Sequence, residues 1–332
     1  MAVKRSMDAA ARGAGLCLAL AVFVACAAPT AGPTWADPAA VGAALGRYLE
    51  DVKGAAGKRY EERDDRGHAL DGLAIIPAPD TGFVGVSHWW SDGTQEFRVG
   101  LSTSDDLLTW TWRAELARQA SMPAITQASD GDGYVVAWEQ EPDNHLAFAW
   151  YPSWDDLLNA RPSKTFEAEH QLSDCAEGTP NLIAASSTRV DFGFHYFADC
   201  DLDREARGTM DWRSWSATKR PELDAAILAH RVTGGIGDRD LLRFRDREFT
   251  LLEAMSVRDD WSTWKVYLVD EDRATPLAFA TDGGSRAFTN PSAEVVDLHG
   301  QPTLVVSLFV PQEGAAPGET GSLVYYVPIP AD

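Results

Sequence analysis

Six carboxylates stand beside the start of an apolar run, or at the end of the run that follows: Asp71, Glu139, Glu177, Asp238, Asp240 and Glu253. Two such groups facing one cleft can do acid–base chemistry. One gives a proton to a leaving oxygen while the other activates water or attacks directly. The proton donor must stay protonated near neutral pH, so burial or a nearby negative charge must raise its pKa. Asp238, Asp240 or Glu253 can supply that charge, and Arg239 can clamp a hydroxyl or a carboxylate substituent. His88, Trp89, Trp138, His195 and Asn290 recur at matching places. Aromatic faces that stack and polar groups that fix hydroxyls together suit a sugar. Each residue also has a plainer reading. Glu177 can be a structural hydrogen-bond acceptor, and Asp71-Gly72 a simple turn. Asp238-Arg239-Asp240 can be an internal ion-pair network, and the histidines and Trp89 can pack between elements.

The elements that would position these residues are legible as a repeat. Thr103-Ser104-Asp105-Asp106-Leu107-Leu108-Thr109 recurs about fifty residues later as Ser153-Trp154-Asp155-Asp156-Leu157-Leu158-Asn159. Weaker copies follow at Thr209–Trp215 and Asp259–Trp264. The aspartates Asp105, Asp155, Asp211 and Asp259 read as structural, tying turns through side-chain to backbone bonds. A second marker keeps step: Met122-Pro123, Thr179-Pro180 and Asn290-Pro291 each open an apolar run, and Asp71-Gly72 and Asp238-Arg239 fill the gaps. Each of the five starts, at about 71, 121, 178, 238 and 290, leads through a turn such as Asp130-Gly131 into an aromatic-rich second strand. Those second strands are Val84–Trp90, Tyr134–Trp138, Val190–Phe197, Phe249–Ala254 and Thr303–Phe309. Units of this length with room for four strands are propeller blades. The expected fold is therefore all-β, a five-bladed propeller over residues 66–332. Residues 37–65 fall outside the repeat. Asp37-Pro38 caps a short helix, and Glu61–Arg66 reads as a solvated, charged linker.

Of 332 residues, 50 are Asp or Glu and 29 are Lys or Arg, a formal charge of -21, so a phosphate backbone is an unsuitable partner. Residues 1–36 have a basic start, an apolar run and small residues, the layout of a secretory leader. Cleavage after Ala27 or after Ala36 fits, and Phe23-Val24-Ala25-Cys26 resembles a lipoprotein box that would anchor the chain at the cell surface through Cys26. No later stretch is long and apolar enough to span a membrane. Of four cysteines, Cys175 and Cys200 remain beyond the leader. In an exported protein such a pair reads as a disulfide, and its midpoint falls on the predicted turn of the third unit. Asp199-Cys200-Asp201-Leu202-Asp203 opens like a calcium loop but lacks the glycine and terminal glutamate that such loops need. No zinc, serine-hydrolase or phosphate-loop motif is present. A monomer without a cofactor is expected.

In a propeller the start of each inner strand and the end of the next strand share one rim. That rim would gather Asp71, His88 and Trp89; Ser121, Trp138 and Glu139; Glu177, His195 and Tyr196; Asp238, Arg239, Asp240 and Glu253; and Asn290. With its Asp-Asp-Leu repeats, five units and Glu177-Gly178-Thr179-Pro180 opening the third, the chain resembles the five-bladed glycoside hydrolases, family 43 above all. The resemblance covers about four fifths of the chain. It implies Asp71 as general base, Glu177 as general acid, an arabinose- or xylose-containing saccharide as substrate and, in some relatives, an axial calcium. It also implies an Asp opening the second unit, where this chain has Ser121-Met122-Pro123. That departure keeps a non-catalytic carbohydrate-binding propeller, or a protein-interaction one, as alternatives.

Overall fold

In the computed structural model, residues 37–330 are described, except Thr81 and Asp272. The leader and Cys26 lie outside the described residues. Five four-stranded antiparallel sheets form five blades. The inner strands are Asp71–Pro77, Ala120–Gln127, Glu177–Ala185, Ile236–Phe244 and Thr289–Leu298. The second strands are Phe83–Ser91, Tyr134–Gln140, Val190–Ala198, Arg247–Met255 and Gln301–Val310. Both sets match the sequence reading to within a few residues.

The fifth blade corrects one expectation. Its outermost strand is Gly57–Tyr60, paired antiparallel with Gly321–Pro328. The segment 37–65 is therefore not all outside the repeat: Gly57–Tyr60 and Gly321–Pro328, far apart in sequence, close the ring inside one sheet. The charged linker is corrected as well. Glu62 and Asp64 are buried, while Glu61, Arg63 and Arg66 are exposed. Asp64 accepts the backbone N–H groups of Arg66 and His68, at 2.9 and 3.0 Å, which fixes the turn leading into blade one.

Apolar clusters lie between neighbouring blades: Val84, Leu101 and Val136 join blades one and two, and Ala137, Phe148 and Phe192 join two and three. Leu251, Val266 and Leu304 join blades four and five, and Leu73, Val296 and Val324 close five onto one. The helix Pro38–Glu50, capped by Asp37 accepting from the Ala39 N–H at 3.0 Å, buries Val41, Leu45 and Leu49 against the junction of blades four and five. The junction of blades three and four is built differently. A helix, Pro221–Leu228, packs Leu223 and Ile227 onto blade four. Beside it Arg239 of blade four donates to Glu205 of blade three at 2.9 Å, both buried. A buried pair of this kind is tolerable only when its remaining donors are satisfied. Arg239 goes part of the way: it also donates to the carbonyls of Thr179 and Gly237, at 2.8 and 2.9 Å, while its Nε stands 2.5 Å from Glu205 Oε2 without hydrogen-bond geometry.

Cys175 and Cys200 form a disulfide with Cα atoms 5.7 Å apart, just beyond the hairpin of blade three. The turn-tying aspartates are shifted by one residue in two units. Asp106, not Asp105, accepts from Leu108 and Thr109, and Asp260, not Asp259, accepts from Ser262. Asp211 ties Arg213 and Ser214, as expected. Among the described residues no helix is long and apolar enough to cross a membrane.

Candidate active site

Near the start of every inner strand, pairing with the second strand shifts register. The shifts lie between Asp71 and Ala74, Ser121 and Ala124, Gly178 and Asn181, Ile236 and Arg239, and Thr289 and Ser292. Bulges bend a strand and re-aim its side chains. In four blades the bulge holds a left-handed residue: Gly72 at φ 60°, Met122 at 50°, Thr179 at 50° and Asn290 at 49°. A β-branched residue such as Thr179 seldom adopts this conformation and needs outside support.

That support comes from the preceding blade. The N–H of Met122 donates to His88 Nδ1 at 3.3 Å, and that of Thr179 to Glu139 Oε2 at 3.1 Å. The N–H of Asn290 donates to Glu253 Oε2. Each acceptor stands at the rim end of its second strand. Glycine makes room for two of them: a Cβ at Gly178 would collide with the Glu139 carboxylate, and one at Gly237 with that of Glu253.

These side chains converge on an axial cavity of about 580 Å³ to which all five blades contribute. Asp71, His88, Glu139, His195, Asp238, Glu253 and Asn290 line it, as the sequence suggested. Glu177, Asp240, Arg239, Trp89 and Trp138 do not. Glu177 is fully buried, and its Oε1 accepts the backbone N–H groups of Gln171, Leu172 and Ser173. It anchors a loop instead of facing the axis. The residue of blade three that corresponds to Asp71 is Gly178: it stands opposite His195 just before the bulge, as Asp71 stands opposite His88. Moving one residue along a strand turns the side chain to the other face. Asp240 accepts from Ser292 Oγ at 2.9 Å and the Ala293 N–H at 3.0 Å, tying blade four to blade five. Arg239 is consumed by the junction of blades three and four. Trp138 donates its indole N–H to Gln140 at 2.8 Å within the packing of blades one and two, and Trp89 packs against His68 and Trp112.

The cavity also holds residues the sequence reading passed over, among them Phe97, Asn144, Asp203, Trp261 and Trp264. Three of them carry a signal of another kind in the sequence. Asp203 belongs to the acidic run after Cys200, and Trp261 and Trp264 belong to the fourth repeat motif. At the mouth, Trp261 is 53% exposed and Phe97 41%.

Burial dominates the electrostatics. It pushes Glu139 up to about 7, helped by the charge of Glu141. It raises Asp71, against the hydrogen bond from Ser322. It raises Asp238 and Glu253 together, the Glu253 charge adding to Asp238. Burial also lowers His88 and His195 to about 4, so both rings are neutral at ordinary pH. Because His88 accepts through Nδ1, its neutral ring carries the proton on Nε2. His195 Nδ1 and Trp264 Nε1 are buried without a hydrogen-bond partner. Buried polar atoms without partners are uncommon, and in a cavity they are places for ligand groups. Among the described residues no group of three or more His, Cys, Asp or Glu is arranged to hold a metal ion.

No protein-family model matches the chain, and no curated protein matches it. Solved structures do match. The α-L-arabinofuranosidase of Lactobacillus brevis aligns with a TM-score of 0.55 at 9% identity, covering 79% of this chain and 91% of that one. An exo-1,5-α-L-arabinanase from a bovine ruminal metagenomic library gives 0.52 at 11% identity, covering 81% and 96%. The catalytic domain of a Coprinopsis cinerea family GH62 α-L-arabinofuranosidase gives 0.51 at 8% identity, covering 81% and 93%. At such identities the likeness is one of fold: this chain has the fold of the five-bladed propeller glycoside hydrolases.

Proposed function

We propose that the protein is an exported glycoside hydrolase acting on arabinose- or xylose-type glycosidic bonds, with Glu139 as general acid and Asp71 as general base. The observation that carries the reading is the convergence of Asp71, Glu139, Asp238 and Glu253 on one axial cavity that also offers neutral histidines and aromatic faces. Asp71 keeps the role that the sequence resemblance implies. The acid moves from Glu177, which faces away, to Glu139, which reaches the cavity from the second strand over Gly178.

The chemistry follows from the two environments. Glu139, raised to about 7, keeps its proton near neutral pH, and its Oε2 is held by the N–H and hydroxyl of Thr179. It gives that proton to the leaving glycosidic oxygen as the C–O bond breaks. Asp71 is oriented by the Ser322 hydroxyl on Oδ1 and takes the proton of the attacking water. The Nε2–H of His88 and the unpartnered Nδ1 of His195 meet sugar hydroxyls, while Trp261 and Phe97 offer stacking faces. Export is supported by the leader-like residues 1–36 and by the Cys175–Cys200 disulfide.

A binding-only propeller is the second reading. Its support is that Glu139 and Glu253 also hold neighbouring blades together, a task that needs no turnover. Sugar release from arabinan, arabinoxylan, galactan and aryl glycosides decides between the two. Release that disappears in Glu139→Gln and in Asp71→Asn supports the hydrolase. Binding of one glycan with no release supports the lectin. Release that survives both substitutions removes the assigned pair.

A further inference from the structure

A second cavity, of about 830 Å³, opens beside the cleft on blade one and meets it at Asp71, which lines both. Its floor is aromatic. The His68 ring lies 4.5 Å from that of Trp89 and 4.6 Å from that of Trp112, and the two indoles meet edge to face at 5.2 Å. Gly100 permits this packing, because a Cβ there would strike both indoles. Asp64 fixes the imidazole through Nδ1 at 2.9 Å. Trp90, 46% exposed, forms one wall and meets Phe97 of the axial cleft edge to face at 5.0 Å. A continuous aromatic surface therefore runs from the side cavity to the cleft.

The charges are uneven. Arg98 is consumed by Glu96 and Glu115, and Glu115 also takes Arg118. Arg63 and Arg66, both exposed, have no carboxylate within ion-pair distance among the described residues. Arg63 donates to the Gly67 carbonyl at 2.9 Å, and the Arg66 guanidinium lies over Trp112, 5.7 Å from the ring centre. Asp92 at the lip and Asp71 at the junction are the other acids. In a chain of formal charge -21, two uncommitted guanidinium groups on one aromatic-walled cavity mark a place for a carboxylate carried on a ring.

We propose that this side cavity is a subsite for a uronic acid residue of the same saccharide chain that enters the axial cleft. The sugar face stacks on Trp90 and Trp112, and its carboxylate pairs with Arg63 and Arg66. The proposal rests on the reading of the axial cavity as a sugar site, and it narrows the substrate to acidic polysaccharide.

The test compares binding of glucuronic-acid-substituted xylo-oligosaccharides with that of the same oligosaccharides after their carboxyl groups are reduced to alcohols. Calorimetry is run on the native protein, on Arg66→Ala, on Arg63→Ala and on Arg243→Ala as a remote control. The native protein should prefer the acid form by about tenfold. The preference should shrink in the Arg63 and Arg66 variants and in high salt, and persist in Arg243→Ala. Equal binding of the two forms by the native protein overturns the subsite, as does a preference that survives both cavity substitutions. The native-protein comparison stands even if a variant misfolds. Hydrolysis of both oligosaccharide forms, acidic and reduced, is followed in parallel. Preference without hydrolysis refutes the hydrolase and keeps the subsite; hydrolysis without preference does the reverse.

Discussion

Glu139, at the rim end of the second strand of blade two, accepts the backbone N–H of Thr179 on the inner strand of blade three at 3.1 Å. The contact joins two blades and holds Thr179 in its left-handed conformation. It also places a carboxyl group, raised to about 7, in the axial cavity. Structure and chemistry meet in one side chain, so a substitution there must be chosen to separate them.

Glu139→Gln separates them. The glutamine carbonyl can still accept from Thr179, so the melting temperature should stay close to that of the native protein, a change of under about 1 kcal/mol. The proton donor is gone, and kcat should fall by about 10²–10⁴-fold. Glu139→Ala should lose the same activity and also about 1–3 kcal/mol, because the Thr179 N–H is left buried and unpaired. Sugar release and thermal unfolding on both variants check this. A Gln variant that keeps full activity removes Glu139 from the acid role.

Glu177 should behave in the opposite way. Its carboxylate gathers three backbone N–H groups of residues 171–173 and lies outside the cavity. Glu177→Gln keeps one acceptor but loses charge assistance, at a cost of about 1–2 kcal/mol. Turnover per folded molecule should be unchanged. Active-site titration beside a denaturation curve distinguishes this from a catalytic role, in which turnover falls while stability holds.

The contrast between these two glutamates shows how far the residues alone could lead. Blade starts were legible because each joins a turn-forming or Pro-bearing dipeptide to an apolar run, and that pattern recurs in all five units. The bulge is not legible. It shifts facing by one residue, so Glu177 looked equivalent to Asp71 when Gly178 is. The glycine that replaces a carboxylate on the inner strand marks where a second-strand carboxylate comes in, a relation visible only once the strands are paired. The closing strand Gly57–Tyr60 was hidden for another reason: four residues, Gly-Lys-Arg-Tyr, carry no apolar alternation. Trp261 and Trp264 were seen as a repeat, but a repeat motif does not say which loop folds back over the axis.

Stability should fall as pH rises from about 6.5 to 8. Burial raises Glu62, Glu139 and Glu294 to about 7. A carboxyl group raised on folding holds its proton longer in the native state. Its contribution is complete below the unfolded pKa and is lost as pH rises through the folded value. His88 and His195, lowered to about 4, act in the other direction: their contribution is complete above their unfolded value near 6.5 and is lost as pH falls toward 4. Above about 6.5 only the carboxyl groups of these two sets still titrate, so the window isolates them. Melting temperatures across it should decline, most steeply up to about 7 and levelling off toward 8, and a flat or rising profile contradicts the burial-raised carboxyls. Activity should decline over the same range as Glu139 loses its proton, while Asp71, also raised, sets the acidic limb.

The two tryptophans at the mouth should differ in what they cost. Trp261 is 53% exposed, and its ring lies 6.0 Å from that of Trp264. Trp261→Ala removes a stacking face and little packing. KM should rise by about tenfold with kcat retained and stability changed by no more than about 0.5 kcal/mol. Trp264 is 8% exposed, and its indole N–H is buried without a partner. Trp264→Phe keeps an aromatic ring in place and removes that donor together with part of the ring system. If the N–H meets a sugar hydroxyl, KM rises and the native protein binds the matching deoxy sugar less tightly, while Trp264→Phe binds both sugars alike. If the N–H meets nothing, Trp264→Phe leaves KM alone, and the gain from removing an unpaired buried donor offsets part of the cavity cost of the smaller ring.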